Sequence, residues 1–96
     1  MKTRDVILER LTEALLPLHV EVLDDSGRHA GHRGARESGG GHYQVTVVAA
    51  VFSGRPLLER HRAIYQALTT ELSSVVHALR IAAYSPEEWK LIRGRG

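Results

Sequence analysis

Apolar residues at the start of the chain recur at helical spacing. Ile7, Leu8, Leu11, Ala14 and Leu15 fall on one side, and Arg4, Asp5, Glu9, Arg10 and Glu13 fill the other. That period predicts an amphipathic helix over residues 3–16, with Thr3 as its N-cap. Pro17 ends it, because proline lacks the N–H and its ring clashes with the preceding turn. The pattern then becomes an alternation. Val20 and Val22 share one face of residues 19–24 and Glu21 takes the other, as in a half-buried strand. Residues 42–52 alternate in the same way, with Tyr43, Val45, Val47, Ala49 and Val51 on one face.

Helical spacing returns after the turn Ser53-Gly54-Arg55-Pro56, where Pro56 suits the first helical position. One long helix is expected over residues 56–73, with Leu57, Ile64, Tyr65, Leu68 and Leu72 as its apolar stripe. A third strand is read over residues 75–84, where Leu79, Ile81 and Ala83 alternate with Arg80 and Tyr84. Ser85-Pro86-Glu87-Glu88 then spells a helix start, with Ser as cap, Pro at the first position and Glu88 closing a capping box. This last helix is expected to end near Ile92, with Trp89 folded back on the core and residues 93–96 frayed. The order is α-β-β-α-β-α. The first two strands pair antiparallel, and a right-handed crossover sets the third parallel to the second. The expected class is α+β: one small domain over residues 1–96, with a three-stranded mixed sheet and helices on one face.

Between the first two strands the apolar pattern vanishes. Residues 25–41, DSGRHAGHRGARESGGG, hold six glycines, three arginines and two histidines. The segment is too polar to bury and too rich in glycine for a stable helix, which predicts a flexible loop. Composition narrows the chemistry further. The chain has 96 residues and no cysteine, so disulfides and thiolate metal sites of its own are excluded. Its formal charge of +2 is mild, and its bases gather at residues 28–36, 60–62 and 90–95. No apolar run approaches the roughly 20 residues of a membrane helix, and no signal-peptide core is present, so a cytoplasmic location is expected.

Five of the six histidines are candidates for chemistry. His61 falls on the apolar stripe between Arg60 and Arg62. It reads as a structural histidine at the edge of the core, although two arginines beside it also suit a phosphate or a carboxylate. His77 stands where helix gives way to strand, and both a partly buried structural role and a ligand role fit that place. His29, His32 and His42 lie in or beside the loop and form a metal signal, with a solvated loop as the plain alternative. Serines, acids and glycines assemble no catalytic elbow, carboxylate pair or phosphate signature, so no enzyme is expected.

These motifs together resemble the BolA-like family over nearly the whole chain. They run from Leu23-Asp24-Asp25-Ser26 through His29-Ala30-Gly31-His32, His42-Tyr43, Phe52-Ser53-Gly54 and Arg60-His61-Arg62. They continue with Glu71-Leu72, Val76-His77-Ala78-Leu79 and Ser85-Pro86-Glu87-Glu88-Trp89. The resemblance implies a topology close to the class II KH-like arrangement. It also implies a partnership with a monothiol glutaredoxin through a shared [2Fe-2S] cluster, formed only in that complex with glutathione, in iron–sulfur trafficking or iron homeostasis. His77 is the implied ligand from the Val-His-Ala-Leu motif, and a loop residue supplies the second. In a chain without cysteine that second ligand is of the histidine type, and His29 matches. The family often carries Gly-Glu-Ser/Thr-His before the second strand. Here Glu37-Ser38-Gly39-Gly40-Gly41-His42 replaces it, which loosens the register and keeps His32 as the alternative.

A DNA-binding transcriptional regulator is the second reading, with Arg55, Arg60, Arg62 and Arg80 on the partner or nucleic-acid surface. Against it, no Gly-x-x-Gly clamp lies between helices. His61 and Trp89 are assigned structural roles. The free protein is expected to be a monomer or a weak dimer.

Overall fold

The computed structural model describes residues 2–25 and 41–94. The expected loop histidines His29 and His32 and the last two residues lie outside the described residues. The first helix, α1, spans Thr3–Leu15 and buries Ile7, Leu11 and Leu15, one side of the predicted stripe. Its N-cap is Lys2, not Thr3, and no side chain caps it; the Lys2 carbonyl accepts from the N–H groups of Asp5 and Val6. Leu16 closes the helix with φ 47°, donating its N–H to the Thr12 carbonyl. A bulky residue in this left-handed region costs roughly 1–2 kcal/mol.

β1 (His19–Asp24) and β2 (His42–Val48) pair antiparallel, and β3 (Ala78–Tyr84) runs parallel to β2, which is central. The register sets Val22 opposite Val45 and Val45 beside Ile81, so the apolar faces of all three strands coincide. That face packs on Ile7 and Leu11 of α1 and on Ile64 and Leu68 from the crossover, around the fully buried Val45 and Val47. Arg4 adds a tether, its Nε donating to the Val22 carbonyl at 2.8 Å. No helix among the described residues is long and apolar enough to cross a membrane.

β2 stops earlier than its alternation suggests. Ala49 makes a last bond to the Tyr84 carbonyl, and Ala50–Phe52 then forms a single 3-10 turn. That turn rotates Phe52 into the core and leaves Val51 half-exposed, the reverse of the expected assignment. A type II turn follows, with Ser53 extended, Gly54 at φ 74° and Arg55 N–H bonded to the Phe52 carbonyl.

The expected single helix over residues 56–73 is two. α2 spans Leu57–Ala67 with Pro56 as its N-cap, not its first residue, and α3 is the short Thr69–Leu72. They meet at Leu68, whose φ and ψ of −109° and 19° leave the helical region. The Thr69 hydroxyl bonds the Tyr65 and Gln66 carbonyls, and Ser73 and Ser74 both bond the Thr70 carbonyl. Such local side-chain bonds compete with the helical ladder and bend or end it. The stripe also shifts. Leu57 and Tyr65 are exposed, while Arg60, Ile64, Leu68 and Glu71 face inward.

α4 spans Pro86–Gly94, two residues beyond the expected end, so Arg93 and Gly94 are helical. Its start is the predicted capping box. Glu88 N–H donates to Ser85 Oγ at 3.2 Å and Ser85 N–H donates to Glu88 Oε1 at 2.8 Å. The helix crosses the end of the sheet. Trp89 stacks on His19 with ring centres 5.1 Å apart and leans on Tyr84 at 5.6 Å, so it does fold back on the body of the protein.

Candidate functional site

His77 sits just before β3, at the end of the segment that leaves α3. The Glu71 carbonyl accepts from the N–H groups of Ser74, Val75 and Val76, which curls the chain tightly. Val76 is buried and pins the curl. The next two N–H groups, of His77 and Ala78, both donate to the Gly41 carbonyl, at 2.7 and 3.1 Å. Gly41 is the residue at which the chain re-enters the described structure, and Asp25, where it leaves, donates its N–H to the His42 carbonyl at 2.8 Å. Gly41, which follows residues 26–40 in the sequence, is therefore bonded directly to His77.

The approach of Gly41 to His77 is close. A Cβ on Gly41 would lie 2.5 Å from His77 Cδ2 and 2.7 Å from the Val75 carbonyl oxygen, and Gly41 has φ 78°. Only glycine combines that backbone with that contact. The His77 side chain is exposed and makes no hydrogen bond, ion pair or ring contact among the described residues. Alternation had put His77 on the face of Leu79 and Ile81, where a partly buried structural role was one reading. β3 begins one residue later, so that counting does not extend to His77 and the buried reading fails.

Among the described residues no group of three or more His, Asp or Glu side chains could hold a metal ion. A single exposed imidazole is a borderline donor that suits iron, zinc, copper or nickel and fits an incomplete site, one that a partner's ligands must complete. His42 opens β2 opposite Ala78 and is half-buried. His61 is half-buried on α2 and has no hydrogen-bond partner among the described residues.

Of the four arginines assigned to a partner or nucleic-acid surface, Arg60 does not belong there. It is 6% exposed. Its guanidinium donates to the Arg55 carbonyl at 2.8 Å, the Ala83 carbonyl at 3.1 Å and Glu88 Oε1 at 2.6 Å. The cause is its place in the chain, four residues before Ile64 and eight before Leu68, on the side that faces the sheet. Arg55 is exposed and paired with Glu59, while Arg62 and Arg80 are exposed.

Glu88 is the residue that sequence reasoning undervalued, having given it only the capping role. The Arg60 bond, then the Ser85 N–H, hold its carboxyl at about 2, below the ordinary 4.5, against a smaller opposing effect of burial. Half of this side chain is in solvent, so the screened contribution to stability is modest. Its sign is fixed. The native state binds fewer protons than the unfolded chain between those two values, so stability from this group is complete above about 4.5 and is lost as pH falls towards about 2. Subtracting the melting curves of Glu88→Gln from those of the parent should leave a difference that is full and level above about 4.5 and fades as pH falls towards about 2. A difference spread evenly over pH would assign the pair no titratable role.

Comparison with known proteins agrees with this architecture. A family model described as BolA-like protein matches residues 11–88. The DNA-binding transcriptional regulator BolA of Escherichia coli is 40% identical over 94% of this chain and 82% of its own length. SufE-like protein 1 of Arabidopsis thaliana is 43% identical over 85% of this chain, which spans only 23% of that longer protein. Among solved structures, BolA1 from Arabidopsis thaliana superposes with a TM-score of 0.78 at 31% identity, covering 92% of this chain and 96% of its own. With its motifs, its mixed sheet and these matches in agreement, the chain belongs to the BolA-like family.

Proposed function

We propose that this protein is a non-enzymatic adaptor that shares a [2Fe-2S] cluster with a monothiol glutaredoxin, acting in iron–sulfur trafficking or iron homeostasis. The observation that carries the reading is His77: its side chain is exposed and unpartnered among the described residues, and its backbone is held against Gly41, which in the sequence follows the segment containing His29 and His32. His77 would supply one imidazole and His29 or His32 the other, while the partner and glutathione supply thiolates. When bound, a cluster with mixed histidine and thiolate ligation supplies a redox or exchange centre of raised potential. The protein's own part is to present the imidazole nitrogens that complete the shared ligand set.

Reconstitution with a monothiol glutaredoxin, iron, sulfide and glutathione tests this. The heterocomplex should have a visible spectrum distinct from that of the glutaredoxin alone. His77→Ala should abolish the difference, and either His29→Ala or His32→Ala should weaken it. Identical spectra for the parent and all three variants would remove the assignment.

The name of the Escherichia coli relative supports a second reading, a DNA-binding regulator. With Arg60 buried, it has Arg62, Arg80 and the Glu59-paired Arg55 as exposed cations from the original set. Titration against duplex DNA over a range of salt decides it, since phosphate contacts strengthen steeply as salt falls. No binding at low salt ends this reading.

A further inference from the structure

We propose that the groove between α4 and the start of β1 is a second docking surface, one that takes a short apolar peptide segment of a partner protein carrying acidic side chains. The groove encloses about 710 Å³. Leu18 and Trp89 provide apolar lining above the fully buried Val48, and Lys90 and Arg93 line it from α4. The Trp89 ring is already fixed between His19 and Tyr84, so a ligand that packs on it pays little ordering entropy. Leu18 in the lining is 71% exposed, and Leu16, two residues earlier in the chain, is 80% exposed.

Charge gives the occupant its character. Lys90 and Arg93 are neighbours one turn apart on α4, and neither makes an ion pair among the described residues. Glu87, the one acid in the lining, accepts a hydrogen bond from the Ser53 hydroxyl, and nearby Glu21 is bonded to His19. Lys90 and Arg93 outnumber Glu87 among the lining side chains, so the lining carries a net positive charge, complementing an apolar segment with acidic side chains. A concave groove admits a chain, whereas a bilayer surface meets convex patches.

The position gives it a use. His77 adjoins the start of β3, and this groove adjoins the other end of the sheet, where Val48 pairs with Tyr84. Seven-residue strands separate the two places by about 20 Å. One protein can therefore be held at His77 while another is held at α4. The inference does not depend on which reading of His77 is right.

Trp89 is the only tryptophan in the chain, so its emission reports on the groove directly. A displayed library of random peptides, selected on the whole protein, should return apolar sequences rich in Asp and Glu. Synthetic copies should shift Trp89 emission saturably. Their affinity should fall at least about tenfold in Lys90→Glu/Arg93→Glu and weaken with salt. Binding should persist unchanged in His77→Ala. Lys90→Gln/Arg93→Gln, which adds no negative charge, should show the same trend more mildly, and circular dichroism verifies that both variants fold. Three results overturn the proposal: no acidic enrichment, peptides that bind the charge-reversed variant equally well, or a Trp89 response to anionic phospholipid vesicles but not to peptide.

Discussion

Replacing Arg60 by alanine is expected to lower the unfolding free energy by about 2–4 kcal/mol. For a domain of this size that is a fall in Tm on the order of 10–20 °C. The side chain joins three elements at once: the turn before α2 through the Arg55 carbonyl, β3 through the Ala83 carbonyl, and α4 through Glu88. Truncation strands a buried carbonyl and removes the cation that steadies the Glu88 carboxylate. The estimate stays below that for a wholly buried pair because Glu88 is half-exposed and water can replace part of the loss. Lysine should recover only a fraction, since one ammonium on a flexible stem cannot satisfy three acceptors in fixed directions. Denaturant unfolding of Arg60→Ala, Glu88→Gln and the double variant measures the coupling. A Tm within a degree or two of the parent would show that the arginine is not integral to the fold, and would reopen its place on a partner surface.

Arg60 also marks where the sequence could be read and where it could not. The element order, the antiparallel and parallel pairings and the Ser85–Glu88 capping box follow from periods and local chemistry, and those are properties of neighbouring residues. The inward turn of Arg60 is not such a property. Its helical phase allowed a core position, but an arginine takes one only when acceptors from β3 and α4 arrive from about 20 or more residues away, and spacing within one helix does not contain them. The break at Leu68 was hidden for a related reason. Apolar periodicity runs through residues 64–72 without interruption, and the Thr69 hydroxyl bonds that end α2 leave no trace in it. At the candidate site, His77 was legible as a motif residue, while its exposure depended on where β3 starts, at Ala78, three residues later than the strand read from residue 75. The glycines before His42 were read as loosening the loop. At Gly41 the opposite holds, because the missing side chain permits a close contact that ties the loop end to His77.

That contact makes a second large effect measurable. Gly41→Ala should destabilise the protein by about 3 kcal/mol, combining the left-handed backbone penalty of about 1–2 kcal/mol with a collision that the neighbours cannot relieve cheaply. One of the colliding atoms is the backbone oxygen of Val75, 2.7 Å from the added Cβ, in a curl locked by three bonds to the Glu71 carbonyl. The other is the His77 ring, which can rotate away and so lose its orientation. Gly54→Ala provides the control. Gly54 has nearly the same φ, 74°, but its Cβ would meet nothing within 4 Å, so that variant should cost only the backbone term. The difference between the two variants in denaturant unfolding isolates the collision. It should exceed about 1 kcal/mol, and the His77 ring resonances should move in Gly41→Ala but not in Gly54→Ala. Equal costs for the two substitutions would mean that the loop end does not press on His77. The histidine would then owe its position to β3 alone, and substitutions at Gly41 would leave its orientation untouched.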